Sequence, residues 1–301
     1  MRKLKNLLKI LEKIINGGVE LEFVKENLIK SPLNYTGGKF KLLKQILPLF
    51  PNDVDMFVDL FGGGGNISVN VKAKKIIYND ICSPVCNILK NIKDTDTGYF
   101  LNKINECINF YNLSKQNNEG FLKLRKDWNI NKNNYIELYV LICYSFNNQI
   151  RFNSKNEFNM PFGKNRSSFN EALKKNFIEF SNQLKLKNIF ITNCSFNKIK
   201  LDKLSNKDFI YADPPYLNSD ATYNELNGWT ITKEKELLDL LDNANENNIK
   251  FALSNNLKYK NEILNSWIIK YNIHYLYKNY SNCSYNKLDK SQDTEVLITN
   301  Y

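Results

Sequence analysis

Histidine is nearly missing from this 301-residue sequence: His274 is the only one. A Ser-His-Asp triad needs a histidine base and a His-ligated zinc needs imidazole nitrogens, so most histidine chemistry is excluded. The six cysteines are scattered, and the closest pair, Cys82 and Cys86, is not C-x-x-C. That argues against a zinc ribbon and for reduced, mostly buried thiols in a cytosolic protein. No apolar run approaches the ~20 residues of a membrane-spanning helix, so no membrane partner is expected. The N-terminus is charged throughout and has no apolar core segment, so no secretory leader is expected and the expected location is the cytoplasm. Internal repeats are absent as well.

What is present is positive charge. The formal net charge is +11, and 43% of residues are hydrophobic. The second figure is ordinary for a folded chain, while the first favours an anionic partner. Lys and Asn are abundant throughout, so compositional bias accounts for part of the basicity.

Residues 1–30 read as two short helices broken at Gly17-Gly18. Leu4, Leu7, Leu8, Leu11 and Ile14 share one helical face. Packing on the rest of the protein is the expected role of this extension; DNA contact and self-association are the alternatives. Short apolar runs then alternate with helical patterns. They are Met56 to Leu60, Lys75 to Tyr78, Ile189 to Thr192, Asp208 to Ala212, Ile249 to Leu253 and Val296 to Thr299. This rhythm predicts an α/β fold with a mostly parallel, doubly wound, Rossmann-like sheet. Residues 81–166 interrupt it. They are helical over Leu101 to Tyr111, Phe121 to Trp128 and Tyr135 to Phe146, then polar and rich in turn signals. An inserted small domain is expected there, between the two parts of the sheet domain, 31–80 and 167–301.

Three motifs carry chemistry. Asp213-Pro214-Pro215-Tyr216 follows the apolar run ending at Ala212. Two prolines stop a strand and stiffen the chain beyond it. The turn presents a carboxylate, prolyl carbonyls and an aromatic ring where open α/β sheets bind ligands. A carboxylate and a carbonyl can accept both hydrogens of an exocyclic amine, and the tyrosine can stack on its ring. A capping Asp in a Pro-Pro turn is the simpler reading, but it leaves Tyr216 without a role.

The second motif, Asp59-Leu60-Phe61-Gly62-Gly63-Gly64-Gly65, lets backbone approach a ligand closely. It fits the dinucleotide fingerprint imperfectly, because the third glycine position holds Ile67 or Ser68. Asp80 ends the next strand, where a carboxylate can take ribose hydroxyls. In the third, Tyr35-Thr36-Gly37-Gly38-Lys39 precedes a helix from about Phe40 to Leu47. It is not a Walker A motif. Tyr35 and Lys39 can reach a cofactor carboxylate; a capping turn with a surface lysine is the alternative.

In this order, and with a fourth match at Phe146-Asn147-Asn148-Gln149-Ile150-Arg151-Phe152-Asn153 and Glu157-Phe158-Asn159-Met160-Pro161-Phe162-Gly163-Lys164, the chain resembles the Dam/DpnM class of DNA adenine-N6 methyltransferases, which includes the T-even phage Dam enzymes. The resemblance covers roughly residues 31–300. It implies S-adenosylmethionine (AdoMet) as methyl donor, no metal, and double-stranded DNA as partner. By motif, Tyr35 and Lys39 belong to the methionine end of AdoMet, and Asp59, Phe61, Gly62, Gly63 and Gly64 wrap it. Asp80 takes its ribose, and Asp213, Pro214, Pro215 and Tyr216 hold a flipped adenine beside it.

In the hairpin, Phe146 corresponds to an intercalating aromatic. Asn147, Gln149, Arg151, Asn153 and Pro161 lie on the DNA-reading surface. GATC is the implied target. Gln149 stands where cellular Dam commonly has Leu, and Asn34 where it has a lysine. An RNA adenine methyltransferase is the alternative, but it would not need the hairpin motif. A monomer or weak dimer is expected, and a cognate restriction endonuclease is the open partner.

Overall fold

The structure, a computed structural model, describes residues 28–218, 228–277 and 295–301. Of residues 1–30, where two short helices are expected, 1–27 lie outside these segments and 28–30 carry no helix. Seven strands are described: β1 (Met56–Asp59), β2 (Lys75–Asn79), β3 (Ile189–Thr192), β4 (Phe209–Ala212), β5 (Lys250–Asn256), β6 (Asn272–Leu276) and β7 (Glu295–Thr299). They form one sheet in the order β3-β2-β1-β4-β5-β7-β6. The first five pair in parallel, and β7 runs antiparallel between β5 and β6. The parallel-dominated α/β sheet expected from the apolar runs is therefore present. β6 has no counterpart among those runs. It is an edge strand whose residues are mostly half-buried or exposed, so it needs no continuous apolar stretch.

Strand order reverses between β1 and β4. Ligands in open α/β sheets bind in the crevice beyond the strands' carboxyl ends at such a point. Asp59 ends β1 and Asp213 follows β4 directly.

The buried strands alternate between two apolar layers, as period-2 geometry requires. Phe57, Phe209 and Tyr211 join one cluster, and Val58, Ile210 and Ala212 the other. Nine α-helices are described: α1 (Leu43–Ile46), α2 (Asn66–Asn70), α3 (Ser83–Asp94), α4 (Thr97–Phe110), α5 (Asn118–Ile130), α6 (Tyr135–Tyr144), α7 (Glu171–Leu186), α8 (Ile231–Glu246) and α9 (Glu262–Trp267). Leu237, Leu238 and Leu241 of α8 cover the second layer. The first layer continues through Leu89 of α3 and Phe180 of α7 into Phe100, Phe121, Trp128 and Leu138 of α4 to α6. The helices of segment 81–166 thus share an apolar cluster with one sheet face. Each fully buried large side chain there is worth about 1.5–3 kcal/mol relative to exposure. α6 is buried from Leu138 to Tyr144 and apolar nearly all round, as a central helix should be.

The many asparagines have local uses. Asn117, Asn134, Asn170 and Asn261 cap the helices that follow them by accepting backbone N–H bonds. Asn112, Asn147, Asn148, Asn156, Asn165, Asn218 and Asn248 adopt positive φ, which asparagine tolerates better than most residues.

Candidate active site

A cleft at the switch point brings together Tyr35, Lys39, Asp59, the loop Phe61 to Gly64, Asp80 and the turn Asp213 to Tyr216. It encloses about 740 Å³ of empty space, open solvent included.

The glycine loop forms one wall. Gly62 donates to the Asn79 carbonyl at 2.7 Å, and the Tyr78 hydroxyl donates to the Gly63 carbonyl at 2.6 Å. A Cβ on Gly62 would lie 2.1 Å from the Tyr78 ring, so only glycine fits without displacing that ring. Asp80 secures the loop from the next strand. Its two oxygens accept the Gly63 and Cys82 backbone N–H groups, each at 2.8 Å. The Tyr35 ring packs against Gly63.

Asp59 is buried beneath this loop. The Ser68 hydroxyl donates to Oδ2 at 2.6 Å, while Oδ1 has no hydrogen-bond partner among the described residues. Burial pushes its carboxyl up to about 7. The Ser68 hydrogen bond opposes the rise, and the nearby Asp213 and Asp80 carboxylates add to it.

The opposite wall is a charge cluster around Asp213. Its Oδ1 lies 2.6 Å from the Lys39 ammonium. That ammonium also lies 3.4 Å from Glu295 Oε1, donates to the Gly37 carbonyl at 3.1 Å, and sits 5.1 Å from the Tyr216 ring centre. The Tyr216 hydroxyl donates to Glu295 Oε1 at 2.6 Å. Burial raises the Asp213 carboxyl to about 6, Lys39 holds it down, and Glu295 pushes it further up. Pro214 and Pro215 are buried, so the turn is anchored between its two reactive groups.

Lys39 was expected at a cofactor carboxylate; here its three donors point to Asp213, Glu295 and Gly37. Glu295 was absent from the expected site. It opens the apolar run of β7, and an acidic residue at the head of a fully buried strand is the one local signal that could have found it.

The second group of expected residues lies outside the cleft. The chain from Ser145 to Phe162 folds back on itself through bridges Ser145 to Phe162 and Phe152 to Phe158. Asn129 of α5 holds it by exchanging hydrogen bonds with the Phe158 backbone at both N and O. Phe146 is exposed beneath the Arg166 guanidinium at 4.9 Å. Asn147 is also exposed, and its carbonyl accepts from Asn34 Nδ2 at 2.8 Å. Gln149 bridges to Asn34 through the backbone. Asn34, one residue before Tyr35, therefore ties the hairpin to the rim of the cleft.

Arg151 donates to the Asn159 side chain and carbonyl at 2.8 and 2.9 Å. Asn153 accepts the Lys155 and Glu157 N–H groups and so builds the hairpin tip. Pro161 is exposed, and its carbonyl accepts from the Phe146 N–H. Phe146, Asn147 and Pro161 therefore face solvent, whereas Arg151 and Asn153 are engaged within the hairpin.

Comparison with known proteins agrees with this geometry. The D12 class N6 adenine-specific DNA methyltransferase family matches residues 35–282. The chain is 47% identical over 280 residues to the type II methyltransferase M.FokI of Planomicrobium okeanokoites, and 43% identical over 282 residues to the modification methylase StsI of Streptococcus sanguinis. Each alignment covers 91% of this chain but 43% of the relative, so the chain spans less than half the length of these curated relatives. A DNA adenine methylase of Haemophilus influenzae is 28% identical over 244 residues, covering 77% of this chain and 82% of the relative. A match of this extent, on motifs that converge in one cleft, places the chain in the D12 class N6 adenine-specific DNA methyltransferase family.

Proposed function

We propose that this chain transfers a methyl group from AdoMet to the exocyclic N6 of an adenine in double-stranded DNA. The observation that carries this reading is the half-buried Asp213 carboxylate just beyond β4, facing the glycine-walled cleft with an aromatic ring three residues on.

The residues of the cleft suit AdoMet. The unpartnered Asp59 Oδ1 is a buried acceptor that fits an ammonium. Asp80, directly after β2, is a carboxylate acceptor of the kind that takes ribose hydroxyls. Tyr35 faces the glycine loop at the methionine end. Lys39 reaches a cofactor carboxylate from the same place by giving up the Gly37 carbonyl. Bound there, AdoMet supplies an electrophilic sulfonium methyl. No metal enters this scheme.

An adenine inside duplex DNA is out of reach, so it must be flipped, at a cost of a few kcal/mol. Stacking on Tyr216 offsets part of that, and Phe146 is suited to fill the gap left in the duplex. Asp213 and the Pro214 carbonyl accept the two N–H bonds of the amine. Those acceptors favour a more tetrahedral nitrogen with a freer lone pair. With its carboxyl near 6, Asp213 can also take the proton that the methylated nitrogen must lose. Orientation supplies most of the acceleration, and no covalent enzyme intermediate is required.

On this reading, segment 81–166 is the target-recognition part, and segments 31–80 and 167–301 form the catalytic part. GATC is the proposed target. The setting is a cytoplasmic restriction-modification system with a cognate endonuclease as partner, and the chain acts as a monomer or weak dimer.

Incubation with methyl-labelled AdoMet and DNA, RNA or protein, followed by mapping of N6-methyladenine, tests the proposal. Label in duplex DNA at a defined adenine is expected. Label in RNA alone, or in none of the three, would overturn it.

A further inference from the structure

We propose that Glu295 is a positioning residue for methyl transfer: its buried carboxylate seats the Tyr216 ring and takes over Lys39 when Asp213 engages the target amine. This rests on the adenine-methylation reading above.

Glu295 is 2% exposed and reaches the cluster from β7, which runs antiparallel to both of its neighbours. Its Oε1 accepts the Tyr216 hydroxyl at 2.6 Å and lies 3.4 Å from the Lys39 ammonium. Its Oε2 accepts from Asn256 Nδ2 at 3.2 Å. The same ammonium lies 2.6 Å from Asp213 Oδ1. One buried cation is thus shared unequally between a buried and a half-buried carboxylate.

An amine that binds Asp213 competes with Lys39 for the lone pairs of that carboxylate. Lys39 then keeps only the proposed AdoMet carboxylate and Glu295 as counter-charges, and a buried ammonium short of counter-charge is unfavourable. Glu295 is placed to prevent that, because a small displacement of Lys39 brings it into full contact with Oε1. The carboxylate that receives Lys39 also fixes the Tyr216 hydroxyl. One side chain therefore sets both the stacking ring and the charge state around the acceptor.

The charged and titratable groups facing Asp213 are Lys39, Glu295, Tyr216, Tyr211 of its own strand, and Asp59 of β1. Among them Glu295 raises the Asp213 carboxyl and Lys39 lowers it. Neutralising Glu295 removes the first effect and leaves Lys39 wholly to Asp213. Both changes act in the same direction.

The test compares Glu295→Gln and Glu295→Ala with the unaltered full chain. Carboxylate-carbon NMR reads the Asp213 titration without requiring turnover. Steady-state kinetics give kcat, KM and the pH profile. Duplex DNA carrying 2-aminopurine at the mapped target adenine reports base extrusion.

In Glu295→Gln, which keeps an acceptor for Tyr216, the Asp213 midpoint should fall by about one pH unit. The acid limb of kcat should move with it, kcat itself should drop, and KM for DNA should change little. Glu295→Ala should add a weaker 2-aminopurine signal, because the Tyr216 seat is lost. An unchanged Asp213 midpoint in a folded Glu295→Gln chain would overturn the inference. So would a loss of activity that merely tracks the loss of folded protein. An unaltered chain that methylates no DNA, with the Asp213 midpoint still shifted in Glu295→Gln, would instead sink the methylation reading and leave the carboxylate coupling established.

Discussion

The cleft and the hairpin are built on opposite terms. In the cleft the polar groups are buried or half-buried and already engaged with one another: Asp213 with Lys39, Tyr216 with Glu295, Asp80 with the glycine loop. In the hairpin, backbone and asparagine bonds hold the frame, while Phe146, Asn147 and Pro161 stay exposed. Low-dielectric surroundings strengthen each interaction in the cleft and make any unpaired group there costly. On the hairpin, water is the competing partner and each contact is worth less. Chemistry should therefore be brittle to single substitutions in the first region. Selectivity should be graded in the second.

The largest effect that would sharpen this contrast is at Asp213. Asp213→Ala removes the acceptor of the target amine, and methyl transfer should fall by about 10³-fold or more, in the range of losing a key transition-state hydrogen bond. DNA binding, measured by fluorescence anisotropy, should persist. Full turnover would show that the buried cluster is structural only.

Gly62→Ala comes next. The added methyl would collide with the Tyr78 ring, and such overpacking costs about 1–3 kcal/mol. A lower denaturation midpoint together with weaker AdoMet affinity by calorimetry is expected; an unchanged midpoint would mean that the ring moves aside freely.

On the hairpin, Arg151→Ala should relax selectivity at one base pair by about 1–3 kcal/mol, provided that Arg151 leaves Asn159 to read a guanine. Methylation profiling on a randomised target library decides this. Uniform weakening across sequences would point to a phosphate contact.

A smaller effect concerns pH. Asp59 is raised to about 7 and Asp213 to about 6, both above the unfolded value of 3.8. Between these values the folded chain binds more protons than the unfolded one, so their contribution to stability is greatest below about pH 4 and is lost as pH rises through 6 to 7. Asp59→Asn should therefore flatten the dependence of the melting midpoint between pH 5 and 7.5, as followed by scanning calorimetry. A curve parallel to that of the unaltered chain would place the titration elsewhere.

The smallest expected effect is Arg166→Ala. If its guanidinium meets a phosphate, the slope of log affinity against log salt should become shallower by about one unit. An identical slope would confine Arg166 to its stacking on Phe146.

The sequence by itself determined the parallel sheet, because strands buried on both faces must be apolar throughout, and Met56 to Leu60 and Asp208 to Ala212 read that way. It also pointed to residues that line the cleft. Glycines, prolines and carboxylates at strand ends have few other uses, and Asp59, Asp80 and Asp213 do line one cleft. What only the tertiary structure decided is which groups share charge. The antiparallel insertion of β7 brings Glu295, 82 positions beyond Asp213, onto the same ammonium. The tertiary fold also sets Asn34 against the hairpin's backbone. Periodicity reports the face on which a residue lies, not its neighbour across the sheet. The edge strand β6 escaped notice for a related reason: half-exposed, it carries no apolar run to read. Pairing between residues far apart in the chain is set by strand order and register, and these exist only once the whole sheet has formed.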